Sequence, residues 1–294
     1  MAKCLVTGHK GYIGSRLYKK LKELGHEVMG IDLNTEIPHD IVKSLAEGTD
    51  GSFHPHFYNF QPEYIFHMAC WPRVGFSIED PVSTMKNNVI AGTVVLNFAR
   101  KCKSVKRVIY SSSSSVVGNG NGPTNPYALH KLTTEMEMGI YSLIYDLDTV
   151  SLRYFNVYSE DQKASGPYAT AVAHWIHSLK NGIKPYITGD GEQRRDMVHV
   201  EDVVSANIFA MNREEDFKGA VYDVGTGDNI SLNEIKEIIQ AKHDIEFDYV
   251  APRPGEVMMT KANTFPLRYI GWAAKININE GIERCFDFEV KNER

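Results

Sequence analysis

Thr7-Gly8-His9-Lys10-Gly11-Tyr12-Ile13-Gly14 constrains this chain more than any other stretch. Residues 3–7 form a short apolar run ending at Gly8, which predicts a buried strand. Ile13, Leu17, Leu21 and Leu24 then share one helical face, and Gly25 is a natural stop, so a helix is predicted from about Tyr12 to Leu24. Strand, glycine turn and helix in that order set a demanding geometry. Gly8 allows the tight turn, Gly11 lets the backbone approach a pyrophosphate, and Gly14 lets the helix pack on the strand. The helix N-terminus offers the phosphates free N–H groups and the positive end of its dipole. Asp32 ends the next strand-like run, Glu27–Asp32, 18 positions after Gly14. A carboxylate there accepts hydrogen bonds from ribose hydroxyls and repels a 2′-phosphate, which favours NAD over NADP. Glycines so spaced also occur in plain strand–helix turns; the strand, the helix and Asp32 are what favour the nucleotide.

The same alternation continues. Tyr64–Met68 and Arg107–Ser112 read as strands, Val82–Cys102 and Tyr127–Tyr145 as helices, and Thr149–Tyr154 as a further strand. Repeated strand–helix alternation implies an α/β fold, a Rossmann-type doubly wound parallel sheet. After about residue 157 helical stretches (Tyr168–Lys180, Val200–Met211, Ser231–Ala241) alternate with short strands such as Ala220–Val224. The expected division is an NAD-binding domain over 1–157 and a smaller C-terminal α/β substrate lobe over 158–294, with some of its elements free to return to the sheet.

Composition narrows the partners. The chain has 294 residues, 43% hydrophobic and 23% charged, an ordinary globular balance. A formal net charge of −5 argues against nucleic-acid binding. Cys4, Cys70, Cys102 and Cys285 are far apart in sequence, which suits reduced thiols in a cytoplasmic protein. No apolar run reaches membrane-spanning length and no signal peptide is evident, so no membrane association is expected.

Tyr127-Ala128-Leu129-His130-Lys131 places a phenol and an ammonium one helical turn apart on one face. Such a pair is often only a surface pair. Behind a nucleotide fold it has a chemical use, because a cation beside a phenol favours the phenolate and makes a general base. A hydroxyl partner is expected at the end of the strand Arg107–Ser112, where Ser111–Ser115 is a run of five serines. A serine run is otherwise a polar loop.

These motifs together resemble the extended short-chain dehydrogenase/reductase family, with its TGxxGxxG turn, over nearly the whole chain. The resemblance implies NAD as cofactor, held by Gly8, Gly11, Tyr12, Ile13, Gly14 and Asp32. His67-Met68-Ala69 resembles a segment lining the cofactor, which implies Met68 and Ala69. Asp40-Ile41 resembles an adenine-contacting pair, and Asn88-Val89 the family's helix Asn-Val, with Ala91 in place of a glycine. Asn88, Ser111, Tyr127, Lys131, Tyr154 and Phe155 complete the implied cofactor set. Ser111-Ser112-Ser113-Ser114-Ser115-Val116-Val117-Gly118 resembles Ser-Ser-x-x-Val-Tyr-Gly, with Val117 for tyrosine. Counting back from Gly118 implies a catalytic set of Ser113, Tyr127 and Lys131. Ser113 and Tyr127 lie 14 positions apart, closer than the family pattern, joined by the short turn Asn119-Gly120-Asn121-Gly122-Pro123. The region Asn34–Gln61 also looks compressed, with little room for a full strand.

On the substrate side, Arg153-Tyr154-Phe155-Asn156-Val157-Tyr158 resembles a family segment that implies Asn156 as a sugar-nucleotide phosphate contact. Gly189–Val200 implies Arg195, and the Arg253-Pro254-Gly255-Glu256 segment implies Arg253, as diphosphate ligands alongside Ser113 on the sugar. Guanidinium groups suit a diphosphate; a structural ion pair is the plainer alternative. Family dehydratases and decarboxylases resemble one another in a Glu where this chain has Ser115. A Cys expected of fucose-synthase-like enzymes is also missing from that segment. The remaining expectation is 4-epimerisation of a nucleotide-diphosphate sugar, a UDP-sugar first, with Tyr127 as base. Ser165–Ala169 resembles the UDP-hexose and UDP-hexuronate epimerases. A dehydratase or reductase of the same family, or a non-catalytic dinucleotide binder, stays open at this point. Thr260 is small where related epimerases carry a bulkier residue, which suggests room for an N-acetyl group. His54 and His56 lack further ligands for a metal site, and Phe53–Phe60 reads as a packed loop. The apolar excess of the helices Val82–Cys102 and Pro126–Tyr145 resembles the family's dimer-forming helices and implies a homodimer.

Overall fold

The computed structural model describes residues 1–33, 55–72, 74–118, 120–162, 170–252 and 257–287. Asp40, Ile41, Arg253, the Ser165–Ala169 segment and most of the compressed Asn34–Gln61 region lie outside them.

The chain divides into two compact units, Met1–Arg153 with Val204–Tyr222, and Tyr154–Val203 with Asp223–Arg294. In the first, β1 (Lys3–Thr7), β2 (Glu27–Ile31), β3 (Tyr64–His67), β4 (Arg107–Ser113) and β5 (Thr149–Tyr154) are joined by the strand Ala220–Val224. The strand order is Ala220–Val224, β5, β4, β3, β1, β2. β1 pairs in parallel with both β2 and β3, and β3 in parallel with β4. A parallel sheet flanked by helices buries both faces, which is why β1 and β4 are buried almost throughout, the serines at the end of β4 included. The chain leaves β1 toward β2 on one side and toward β3 on the other. Ligands bind beyond the carboxyl ends of strands at such a reversal. The register aligns those ends, with Thr7 opposite Ile31 and His67, and His67 opposite Tyr110. The strand Ala220–Val224 comes from the C-terminal half and takes the sheet edge beside β5.

The core beneath this sheet includes Leu5, Ile31, Ile65, Val95, Phe98, Val108 and Met138, all buried. Phe53–Phe60, read as a loop, contains a short helix, Pro55–Phe60, with Phe57 in the same core. Its aromatic spacing reaches the core in a single helical turn, which a loop reading overlooks. The predicted Val82–Cys102 helix is Pro81–Met85, one π-helical turn at Lys86–Ile90, and Ala91–Lys101.

The second unit has its own core, built on Val172, Trp175, Ile176 and Leu179 of the helix Ala171–Lys180 with Ile235 and Ile239 of Leu232–Gln240. The latter helix opens on a full capping box between Ser231 and Glu234. Short strand pairs complete it, including Asn156–Tyr158 with Met197–His199.

Candidate active site

The glycine turn closes as its sequence requires. Gly8 has φ +72 and its N–H donates to Ile31 O at 2.7 Å; Gly11 N–H donates back to Gly8 O at 3.0 Å. A Cβ on Gly14 would lie 2.1 Å from Gly8 O, and one on Gly8 2.8 Å from Ala69 N. Side chains are therefore excluded where these backbone segments approach closely. Helix Tyr12–Glu23 starts at Gly11 with no side-chain cap, so no side chain competes for its first N–H groups. Asp32 Oδ2 accepts from Lys10 N at 2.9 Å, which holds the carboxylate against the turn. An uncapped helix start, a side-chain-free cradle and a fixed acid fit a dinucleotide with free ribose hydroxyls.

The floor of this region is a buried polar ladder. Thr7 Oγ1 shares a 2.8 Å bond with His67 Nδ1 and accepts from Ala69 N at 3.1 Å. His67 stacks on Tyr110. Burial, reinforced by the Lys131 charge, pulls the His67 imidazole down to about 3. Met68 is buried and Ala69 half-buried. Asn88 lies in the π turn and its amide clasps the Trp71 backbone: Oδ1 accepts from Trp71 N at 2.7 Å and Nδ2 donates to Trp71 O at 3.0 Å. It shapes the segment after β3 through these bonds.

Ser113, Tyr127 and Lys131 come together at the end of β4 and the start of helix Pro126–Tyr145. Asn125 caps that helix by accepting from Ala128 N, with Pro126 next in line. Tyr127 N–H donates to Ser77 Oγ at 3.1 Å, which sets the phenol's height. Lys131 is 1% exposed and donates to Ser111 O at 2.6 Å. Ser111 thus contributes its carbonyl. The Lys131 ammonium lies 6.0 Å from the Tyr127 ring centre and 4.9 Å from that of Tyr110. The Ser113 side chain faces the Tyr127 phenol and favours its ionised form.

Burial pushes the Tyr127 phenol up to about 12; Lys131 and Ser113 pull it down, while Cys70 and Tyr110 push it up. For Lys131, burial pulls downward, but the facing Cys70, Tyr127 and Glu135 outweigh it and the ammonium is held above its ordinary range. A cation fixed in charge beside a buried phenol is the arrangement that lets added positive charge generate a phenolate.

Several participants escaped the sequence reading. Cys70 faces Lys131 and helps hold its charge. Glu135, one turn beyond Lys131, is 4% exposed, accepts from Ser112 Oγ, and is gripped by Arg153 at 2.8 and 2.7 Å. The i, i+4, i+8 spacing of Tyr127, Lys131 and Glu135 was a readable signal. Ser77 and Trp71 carried none, because only tertiary packing brings them here.

The linking turn is tight. Val117 O accepts from Gly120 N at 3.1 Å and Gly122 N at 3.2 Å, and a Cβ on Gly118 would lie 2.2 Å from Gly122 O.

Of the implied substrate residues, Ser113 belongs to the first unit, and Asn156 and Arg195 belong to the second, as do buried Tyr154 and Phe155. Asn156 Nδ2 donates to Asp196 O at 2.8 Å and to Thr260 Oγ1 at 3.3 Å. Both of its side-chain protons are therefore committed within the protein. The Thr260 hydroxyl also accepts from Asp196 N at 3.1 Å, so its place in the fold is that of a brace. Asp196 is fully buried and receives Thr226 N, Gly227 N and Ala262 N. Neighbouring arginines separate by strand alternation. Arg194 bonds Asn229 and Glu234, whereas half-buried Arg195 reaches back to Arg194 O. Among the described residues there is no metal-ligating cluster and no helix long and apolar enough to cross a membrane.

Known proteins share this architecture. The profile of the NAD dependent epimerase/dehydratase family matches residues 4–225. The UDP-glucose 4-epimerase of Mycolicibacterium smegmatis is 32% identical over 97% of both chains. The crystal structure of a Thermotoga maritima UDP-glucose 4-epimerase with UDP-glucose superimposes with a TM-score of 0.86 at 30% identity, over 97% of each chain. A Thermus thermophilus UDP-glucose 4-epimerase in complex with NAD gives 0.82 at 27% identity, over 97% of this chain and 98% of that one. With the glycine cradle and Asp32 fitting the cofactor, the chain belongs to the NAD dependent epimerase/dehydratase family, whose enzymes use NAD.

Proposed function

We propose that this protein is an NAD-dependent nucleotide-sugar 4-epimerase acting on a UDP-hexose. The observation that carries this reading is the convergence of Ser113, Tyr127 and Lys131 in a wall with no acid at position 115. When bound, NAD supplies a hydride acceptor that returns the hydride within the same turnover. Tyr127, as phenolate, takes the proton of the sugar C4 hydroxyl. Ser113 donates a hydrogen bond to the same oxygen. Lys131, anchored on Ser111 O, stabilises the phenolate. The 4-keto sugar turns over in the site, and Tyr127 gives the proton back to the opposite alkoxide. A dehydratase needs an additional acid to expel water, and Ser115 does not supply one.

The cofactor set comprises Gly8, Gly11, Tyr12, Ile13, Gly14, Asp32, Met68, Ala69, Ser111 and Lys131. Tyr154 and Phe155 complete it, while Asn88 contributes by holding Trp71. Arg195 is the described candidate for the diphosphate; Asn156 serves it by ordering Asp196 and Thr260. The protein acts as a homodimer. Supporting this, the helix Pro126–Tyr145 exposes Met136 (65%), Ile140 (50%), Leu143 (81%) and Ile144 (62%), near Val82 and Met85 of the neighbouring helix.

The test is interconversion of UDP-glucose and UDP-galactose by purified protein without added cofactor, followed by NMR. Tyr127→Phe should abolish it. A 4-keto-6-deoxy product, or net consumption of NADH, refutes the reading.

A further inference from the structure

Ser115 stands where an acid would make a dehydratase, yet its own groups have a defined place. β4 ends at Ser113, and Ser114–Val116 forms one 3₁₀ turn capped by the Ser113 side chain. Ser113 Oγ accepts from Ser115 N at 3.2 Å and from Ser115 Oγ at 3.0 Å. A hydroxyl has two acceptor positions and one proton. Both acceptor positions of Ser113 are thus occupied by the residue two places on. We propose that Ser115 is a positioning residue that polarises Ser113, leaving that hydroxyl only its proton to offer the Tyr127 oxygen and the reacting oxygen.

The polarity has a chemical consequence. A Ser113 free to accept could receive a hydrogen bond from the neutral phenol and favour that form. A Ser113 confined to donating favours the phenolate and a developing alkoxide instead. Ser113 acts on the phenol beside the charged or titratable groups that face it, which are Lys131 on its own helix, Cys70 after β3 and Tyr110 on β4. None of these is altered by changing Ser115. The role differs from that of an acid at the same position, which would itself exchange a proton with substrate.

This inference rests on the proposed function for the identity of the reaction, but not for the hydrogen bonding. In Ser115→Ala the acid limb of the kcat/KM profile should move up by about half to one pH unit, and kcat near neutrality should fall about 3- to 10-fold, the worth of one neutral hydrogen bond. KM should be unchanged, and Ser115→Thr, which keeps the hydroxyl, should restore the wild-type profile. In a Ser113→Ala background, Ser115→Ala should add nothing. A limb that does not move, or equal losses in both backgrounds, overturns the proposal. The second readout needs no substrate: ionisation of Tyr127 in the NAD-loaded protein, followed by ¹³Cζ-tyrosine NMR and assigned with Tyr127→Phe. If no UDP-sugar is turned over but the Tyr127 titration moves in Ser115→Ala, the proposed function falls and the Ser115 role stands. If UDP-sugars are epimerised and the titration is unmoved, only the Ser115 role falls.

Discussion

Replacing Lys131 with methionine removes one buried charge while keeping nearly the same volume. The Nζ atom lies 6.0 Å from the centre of the Tyr127 ring. At an effective dielectric of about 20, a unit charge at that range is worth about 3 kcal/mol to a phenolate. That equals a rise of about two pH units in the ionisation of Tyr127. In the proposed mechanism Tyr127 acts as a base only when ionised, so the acid limb of the pH–rate profile should move upward by the same amount. Turnover near neutrality should fall about 100-fold and recover as pH rises toward the displaced limb. Lys131 also donates to Ser111 O at 2.6 Å, and the methionine leaves that carbonyl without its donor. This second effect lowers stability by about 1–3 kcal/mol but has no pH dependence of its own. The assay is kcat/KM for UDP-glucose from pH 6 to 10 with NAD saturating, beside a urea titration. A loss of equal size at every pH, or a displacement of under half a unit, would falsify the electrostatic argument.

Three further outcomes are expected. His67 is held neutral down to about 3, against 6.5 for the free imidazole. Its contribution to stability is therefore complete above pH 6.5 and is lost as pH falls toward 3. At pH 5 the loss is about 2 kcal/mol, and a His67→Asn variant compared by urea midpoint at pH 7 and 5 should lack it. Equal pH slopes in the two proteins contradict this. Arg153→Leu strands the Glu135 carboxylate, which is 3% exposed at its side chain, and should cost about 3 kcal/mol. A urea midpoint within error of wild type would show that Glu135 is satisfied without Arg153. Ile140→Glu with Leu143→Glu places charge on the exposed apolar face of the Pro126–Tyr145 helix and should give a monomer by light scattering. An unchanged dimer mass would put the interface elsewhere, and a wild-type monomer would remove it.

Much of the site was legible because its chemistry is local. The glycine turn needs only neighbouring backbone, and the Gly8 φ of +72 follows from the tight turn its position demands. Tyr127 and Lys131 share a face through helical periodicity alone, and Asp32 is placed by the length of one helix and strand. Sequence periodicity also yielded the parallel sheet, since a strand buried on both faces must be apolar throughout. The Pro55–Phe60 helix was missed because six residues offer too little periodicity to tell helix from loop.

Other facts belong to the folded chain. Asn156, expected as a phosphate contact, donates its amide protons to Asp196 and Thr260, 40 and 104 positions away. Thr260, expected beside the sugar, braces Asp196 and Asn156. Glu135 is bound by Arg153 and Ser112 from two different strands. The direction of the Ser113 hydroxyl depends on how the chain turns after β4. By itself, the sequence determined the fold class, the cofactor turn and the pair on the catalytic helix, because each rests on spacing within one or two elements. Only the tertiary structure decided which hydrogen-bonding groups are already satisfied, because a donor is committed or free according to what distant segments bring within about 3 Å of it.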